Sequence, residues 1–239
     1  MIEGLVNIFF PKTCPMCGKV IKKKLICDNC NEKMTVIREP KCEKCGKPLD
    51  TNEKIYCEDC GKRQHFFTRG VALFEHTGDL RESVYKFKFG NAREYGEFYG
   101  QTAAKQYKNV FRAWNIQIMI PIPMYYKKEI KRGYNQAEVF ANCVSKYTGI
   151  PVDKKSLIRK KPTVAQKELN DEMRRANLEG AFAVDASRVS SYKSVLLVDD
   201  IYTTGSTVDA CAKLLKKAGV DKVYVLCISI GRDEEKFAE

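Results

Sequence analysis

Two groups of residues in this 239-residue chain have the types and spacing to do chemistry. The first runs from Val195 to Thr207. An apolar stretch, Val195 to Val198, is followed by Asp199 and Asp200, then by a hydroxyl-rich turn of Thr203, Thr204, Gly205, Ser206 and Thr207 that opens a helical pattern. Such a continuous apolar run reads as a central strand buried on both faces, and open α/β sheets hold their ligands at the carboxyl ends of these strands. Glycine lets the backbone approach an anion closely, and the helix that follows turns its positive end and free N–H groups toward it. Singly, each part is ordinary: an acidic pair also lines receiver-like pockets, and Ser or Thr before a helix is often only an N-cap. Together they point to a phosphate-bearing ligand at a strand end.

The second group is sulfur. Eight of eleven cysteines lie before residue 61, in four CxxC pairs: Cys14/Cys17, Cys27/Cys30, Cys42/Cys45 and Cys57/Cys60. A two-residue spacer aims both thiolates of a pair at one ion, and two pairs complete a tetrahedral zinc site, so four pairs make two sites. Neighbouring or alternate pairs could share a metal, and an internal repeat decides for neighbours. Residues 14–19 (Cys-Pro-Met-Cys-Gly-Lys) recur as residues 42–47 (Cys-Glu-Lys-Cys-Gly-Lys), each followed by a second CxxC, and a duplicated unit carries its own complete site. With four sulfurs per ion no coordination position is left for water, which makes the zinc structural. Gly18 and Gly46 suit the left-handed turn of such knuckles.

The elements that must position these groups follow from pattern. Apolar runs of strand length alternate with segments of helical period after residue 69, which predicts an α/β fold with a central parallel sheet. Strands are expected over 70–74, 116–123, 195–198 and 223–230, and helices over 80–89 and 94–111 with Gly90 and Asn91 as the stop between them. Ala137, Phe140, Ala141, Val144 and Tyr147 form one buried helical stripe, and Val208, Cys211, Ala212, Leu215 and Ala218 another. Cys143, Cys211 and Cys227 fall in these apolar settings and read as packing residues. The chain divides into residues 1–66, a small double zinc-ribbon module, and residues 69–239, the α/β part, with a polar connector at residues 61–65. Chelation is expected to unfold the first and spare the second.

Composition adds limits. No apolar stretch approaches the ~18 residues that span a bilayer. The short run of Leu5, Val6, Ile8, Phe9 and Phe10, preceded by Glu3, reads as a packing segment and neither anchor nor signal. Grouped thiols without export favour a cytoplasmic location and metal over disulfides. The formal charge is +12; two four-thiolate zinc ions would bring it to about +8. That balance suits a polyanionic partner. Lys22, Lys23 and Lys24 on the first ribbon are candidates for nucleic-acid contact, equally readable as a solvated hairpin.

The stretch from Val195 to Thr207 resembles the PRPP (phosphoribosyl pyrophosphate) signature of type I phosphoribosyltransferases. That resemblance implies a type I phosphoribosyltransferase fold. Asp199 and Asp200 would be the catalytic pair that takes the ribose hydroxyls, Thr203, Thr204, Gly205, Ser206 and Thr207 would wrap the 5′-phosphate, and Mg2+ would bridge ribose oxygens and pyrophosphate. In the reaction of such proteins a nucleophile displaces pyrophosphate from C1 of the ribose. Two further stretches sharpen the match. Ile120 to Pro123 leading into Arg132, Gly133, Tyr134, Asn135, Gln136, Ala137 and Glu138 looks like the strand, pyrophosphate loop and helix of ComF competence proteins. Thr163, Gln166, Arg174, Arg175 and Asn177 ahead of Ala181 and Phe182 resemble a loop that closes over PRPP, where Lys160, Lys161 and Arg174 could meet the pyrophosphate. With the double zinc ribbon in front, the resemblance to the ComF family covers nearly the whole chain.

The family resemblance implies natural transformation: single-stranded DNA handled in the cytoplasm, peripherally at the inner face of the membrane as an open alternative, with a helicase partner. Two functions compete. One is a binding module for PRPP-Mg and single-stranded DNA, in which Tyr56, Phe66 and Phe67 could stack bases, although packing in a small core is the leading role for them. The other is an active phosphoribosyltransferase acting on an amine or nucleobase. A glutamine-dependent amidotransferase is not expected, because Ile2 stands where that enzyme's cysteine nucleophile would and the chain is too short for the extra domain.

Overall fold

Four parallel strands carry the α/β part of the protein in the spatial order β1-β6-β5-β2. They are β1 (Arg69–Glu75), β2 (Ile118–Pro121), β5 (Ser194–Tyr202) and β6 (Lys222–Ile230). The computed structural model describes residues 11–162, 178 and 180–231. The run from Leu5 to Phe10 and the residues Thr163, Gln166, Arg174, Arg175 and Asn177 lie outside them.

The continuous apolar run at Val195 to Val198 is a central strand, paired with β2 on one side and β6 on the other. Alternation along the strands then sorts the core into two clusters, one on each sheet face. Leu73, Leu196, Val198 and Leu226 belong to the first, with α3 (Gly78–Phe89), α4 (Tyr95–Ala113) and α6 (Gln136–Thr148) packed against them. Ala72, Val195, Leu197 and Val225 belong to the second, with α8 (Ser206–Lys217) and a two-stranded antiparallel ribbon of β3 (Leu157–Arg159) and β4 (Phe182–Val184).

The predicted stop at Gly90 holds. Gly90 caps α3, its N–H donating to Lys86 O at 2.7 Å, and Gly149 caps α6 in the left-handed region. The strand expected over 116–123 is shorter, running over Ile118–Pro121, although the Ile122 N–H still donates to Val198 O at 2.9 Å; Pro123, with no N–H, adds no further bond. Between it and α6 stands a further helix, α5 (Tyr126–Arg132), ahead of the short helix α7 (Ala186–Val189) later in the chain. Cys211 and Cys227 are buried packing residues, while Cys143 is half-buried.

The zinc units do not keep a core of their own. Cys14, Ile26 and Cys30 belong to the first sheet cluster and Cys42, Cys45 and Cys57 to the second. The division at residues 66–69 is therefore crossed by shared apolar packing on both sheet faces. No helix among the described residues is long and apolar enough to cross a membrane.

Candidate functional site

The sulfur groups are built from local hydrogen bonds. In each repeat the same hydrogen bonds tie the knuckle: Gly18 N–H to Cys14 O and Gly46 N–H to Cys42 O, both 2.9 Å, then Cys14 N–H to Lys19 O and Cys42 N–H to Lys47 O, both 2.7 Å. Gly18 and Gly46 take left-handed φ of 74° and 80°. The second CxxC of each unit begins a short helix, α1 (Asp28–Lys33) after Cys27 and α2 (Glu58–Lys62) after Cys57. The eight thiols gather as Cys14, Cys17, Cys27 and Cys30, and as Cys42, Cys45, Cys57 and Cys60, each set within 4.8 Å. This is the neighbouring-pair arrangement. The Sγ–Sγ distances of 3.7 Å for Cys17–Cys27 and Cys45–Cys57 match the edge, about 3.8 Å, of a tetrahedron with Zn–S of ~2.3 Å. Both sets are four-thiolate zinc sites.

The residues from Asp199 to Thr207 occupy the end of β5 and the start of α8. Asp199 and Asp200 are the last acidic residues of the strand, and the Asp200 N–H donates to Asp199 Oδ1 at 2.8 Å. Gly205 is the residue before α8, with φ of 73°, and a Cβ there would fall 2.3 Å from the Tyr202 hydroxyl. Only glycine meets both the conformation and the space. Thr204 and Ser206 hydroxyls hydrogen bond to each other at 2.9 Å across it. Thr203 and Thr207 complete the turn and the first turn of the helix.

Electrostatics single out Asp199. Burial first, and the Asp200 charge second, push its carboxyl up from 3.8 to about 7, opposed by the cations Lys88 and Arg159. Lys88, at the end of α3, pairs with Asp200 at 2.9 Å. Burial pulls the Arg159 guanidinium down, and Asp199 works against that pull. Its guanidinium lies 5.2 Å from the Phe182 ring centroid, across the β3–β4 ribbon. The cations acting on Asp199 are therefore Lys88 and Arg159, which sequence reasoning did not name. Lys160 and Lys161, the expected ones, follow β3 as exposed residues, and Arg174 lies outside the described residues. Nothing local in the sequence links Lys88 to Asp200, 112 positions later; only the sheet order brings them together.

The segment from Arg132 to Gln136 is fastened from both sides. Asn135 caps α6, accepting from the Ala137 N–H at 3.1 Å, and its Nδ2 donates to Ile122 O at 3.0 Å. The Tyr134 hydroxyl and Gln136 Nε2 both donate to Phe87 O at the end of α3. This holds the loop between β2 and α6 beside the Asp pair, and the Asp200 charge acts on Arg132.

The second zinc unit touches this site. The Tyr202 hydroxyl, packed on Gly205, is buried without a hydrogen-bond partner among the described residues, and the charges acting on it include Cys45, Cys60 and Cys57. The Tyr202 ring meets Phe67 edge-on at 6.2 Å. Asp209, in the first turn of α8, accepts from the Phe66 N–H at 2.9 Å and pairs with His65 Nδ1 at 2.5 Å, which ties the connector to α8. Phe67 is buried, as its packing role required, whereas Tyr56 and Phe66 are about half exposed. Thr204 and Ser206 also border a cleft of about 1070 Å3, together with Arg63, Phe66 and Lys213.

A double zinc ribbon family model matches residues 5–61, and a phosphoribosyl transferase domain model matches residues 135–237. Fold and site thus define a phosphoribosyltransferase-type α/β protein with two structural zinc sites. The chain is 30% identical over 227 residues to competence protein F of Haemophilus influenzae, covering 93% of this chain and 92% of that protein. It is 22% identical to competence protein ComFC of Bacillus subtilis, over 86% of this chain and 72% of that one, and 26% identical to DNA utilization protein YhgH of Salmonella typhimurium, over 67% and 71%. The chain belongs to the ComF competence protein family.

Proposed function

We propose that this protein binds PRPP with Mg2+ at the end of β5 and serves DNA uptake by handling single-stranded DNA. The observation that carries the ligand is the junction itself: an acidic pair at the carboxyl end of a central parallel strand, a glycine bend with two hydroxyls, and a helix N-terminus within seven residues. Asp199 and Asp200 accept hydrogen bonds from the ribose hydroxyls. Thr203, Thr204, Gly205, Ser206 and Thr207 hold the 5′-phosphate with hydroxyls and backbone N–H groups. Lys160, Lys161 and Arg174 reach the pyrophosphate, joined by Arg132 and Arg159. Mg2+, when bound, offsets negative charge on the pyrophosphate. The ionised form of Asp199 is the better hydrogen-bond acceptor, and a bound cation favours it.

The names of the relatives, two competence proteins and a DNA utilization protein, support the process. The basic balance of 42 Lys and Arg over 30 Asp and Glu supports a polyanionic partner. A cytoplasmic location, a helicase partner and a domain boundary at residues 66–69 belong to the same reading. The test is complementation of a deletion strain for transformation with the parent chain or the Asp199→Ala/Asp200→Ala variant. The parent restores DNA uptake and the double variant, at equal protein level, does not. Full restoration by the double variant would separate the pocket from the process. Acceptor-dependent pyrophosphate release that this variant abolishes would instead make the protein a phosphoribosyltransferase acting on an amine or nucleobase.

A further inference from the structure

Beside the ligand site the structure exposes aromatic side chains where a stable core would not leave them. On α3, Tyr85 and Phe89 are one turn apart, 61% and 60% exposed, with ring centroids 5.0 Å apart. On α5, Tyr126 and Ile130 repeat that spacing, 55% and 77% exposed, and Tyr125 packs on Tyr126 at 4.8 Å. The two helices meet through Arg132, whose guanidinium lies 4.6 Å from the Phe89 ring centroid. Tyr126 and Arg132 stand at opposite ends of α5, about 9 Å apart along its axis, so a single strand of a few nucleotides passing from one ring pair to the other crosses Arg132 and the α5 lysines. The helix also presents Lys127, Lys128 and Lys131 to solvent against the single acid Glu129, which is half-buried.

Resting on the single-strand reading above, we infer that this α3–α5 face is where the strand docks, with bases stacked on Tyr85, Phe89 and Tyr126 and phosphates on the α5 lysines. Flat π faces interleaved with cations fit unpaired bases, whatever their sequence, and a guanidinium already seated on Phe89 adds a cation to that platform. A duplex keeps its bases stacked inside and would use only the lysines. A lipid surface calls for an aliphatic stripe over several turns, whereas the seven-residue α5 offers Ile130 alone. The face adjoins the phosphoribose site through Arg132 and Lys88, both of which act with Asp200.

The test is fluorescence anisotropy of the full zinc-loaded chain with a labelled mixed-sequence oligonucleotide, its duplex, and phosphatidylglycerol vesicles. Tyr85→Ala/Tyr126→Ala lowers single-strand affinity by ~10–100-fold and leaves duplex affinity in place. Replacing Lys127, Lys128 and Lys131 by Gln flattens the salt dependence of single-strand binding by about two log units per log unit of salt. Lys213→Gln/Lys217→Gln, in the cleft beside Phe66, serves as a control at another basic surface and has the smaller effect. Both tyrosines are more than half exposed, so an unchanged melting midpoint accompanies the loss. If the parent binds and the tyrosine variant binds equally, or if the Lys213/Lys217 variant loses more, the face is wrong. Loss of vesicle binding alone would make it a lipid surface. A parent with no single-strand affinity defeats the underlying reading, and this one with it.

Discussion

The two zinc units share a knuckle design almost bond for bond, yet they support opposite faces of the sheet. The first leans on α3 and α4: the Thr13 hydroxyl meets the Tyr95 hydroxyl at 3.0 Å, and Cys17 stays exposed. The second is built into the strand edge. Gly70 donates to Lys44 O at 2.7 Å, and a Cβ on Gly46 would fall 2.8 Å from Gly70 O. Lys47 is 3% exposed and paired with Asp59 at 2.9 Å, while Lys19, its counterpart in the first unit, lies in solvent with Asn29 in place of the acid. Duplication supplied two copies of one zinc fold, and divergence made the second a support for the bend around Gly205 and for α8, through Tyr202 and through the contacts of Asp209 with His65 and Phe66.

That difference can be broken at a ligand. Cys57→Ser removes a buried thiolate of the second site and lowers the melting midpoint of the whole chain by ~10 °C or more, since structural zinc is folding free energy and the core is shared. It also weakens PRPP binding by displacing Tyr202 beneath Gly205. Cys17→Ser, at the exposed corner of the first site, lowers the midpoint by a few degrees and leaves ligand affinity near the parent value. Calorimetric melts of both variants, with and without PRPP and Mg2+, check this. Equal losses, or a greater loss from Cys17→Ser, would mean that the two units do the same work.

A smaller effect sharpens the comparison on the ligand side. Folding lifts the Asp199 carboxyl from 3.8 to about 7, so the unfolded chain gives up this proton first as pH rises. Its contribution to stability is full below about pH 4 and drains away between about pH 4 and 7. Asp199→Asn removes that dependence and is more stable than the parent at pH 8, with a smaller gap at pH 5. Denaturant midpoints of ligand-free protein at the two pH values decide it; a gap that does not change with pH contradicts the burial of this carboxylate.

Much of this was readable in the residues because the signals are local. CxxC spacing with a repeat paired the cysteines, the run from Val195 to Val198 announced a central strand, and Gly205 between hydroxyls marked the bend. Nonlocal packing was not readable. β3 and β4 are three-residue strands whose pairing joins Leu157 to Val184, too short for period-two alternation to stand out. The pairing of Lys88 with Asp200, the charge of Arg159 on Asp199, and the placement of each zinc unit on its own sheet face depend on sheet order, which periodicity does not encode. The α5 helix was missed because Tyr126 to Arg132 turns no apolar stripe inward: none of its residues is buried.

The central claim is a phosphoribose site at the end of β5, and titration calorimetry of the zinc-loaded chain with PRPP at saturating Mg2+ tests it most directly. Saturable uptake near one ligand per chain is expected, absent in Asp199→Ala/Asp200→Ala protein that keeps its zinc and still melts cooperatively. No heat from the parent with PRPP or any phosphorylated ribose, or equal binding by the double variant, would contradict it.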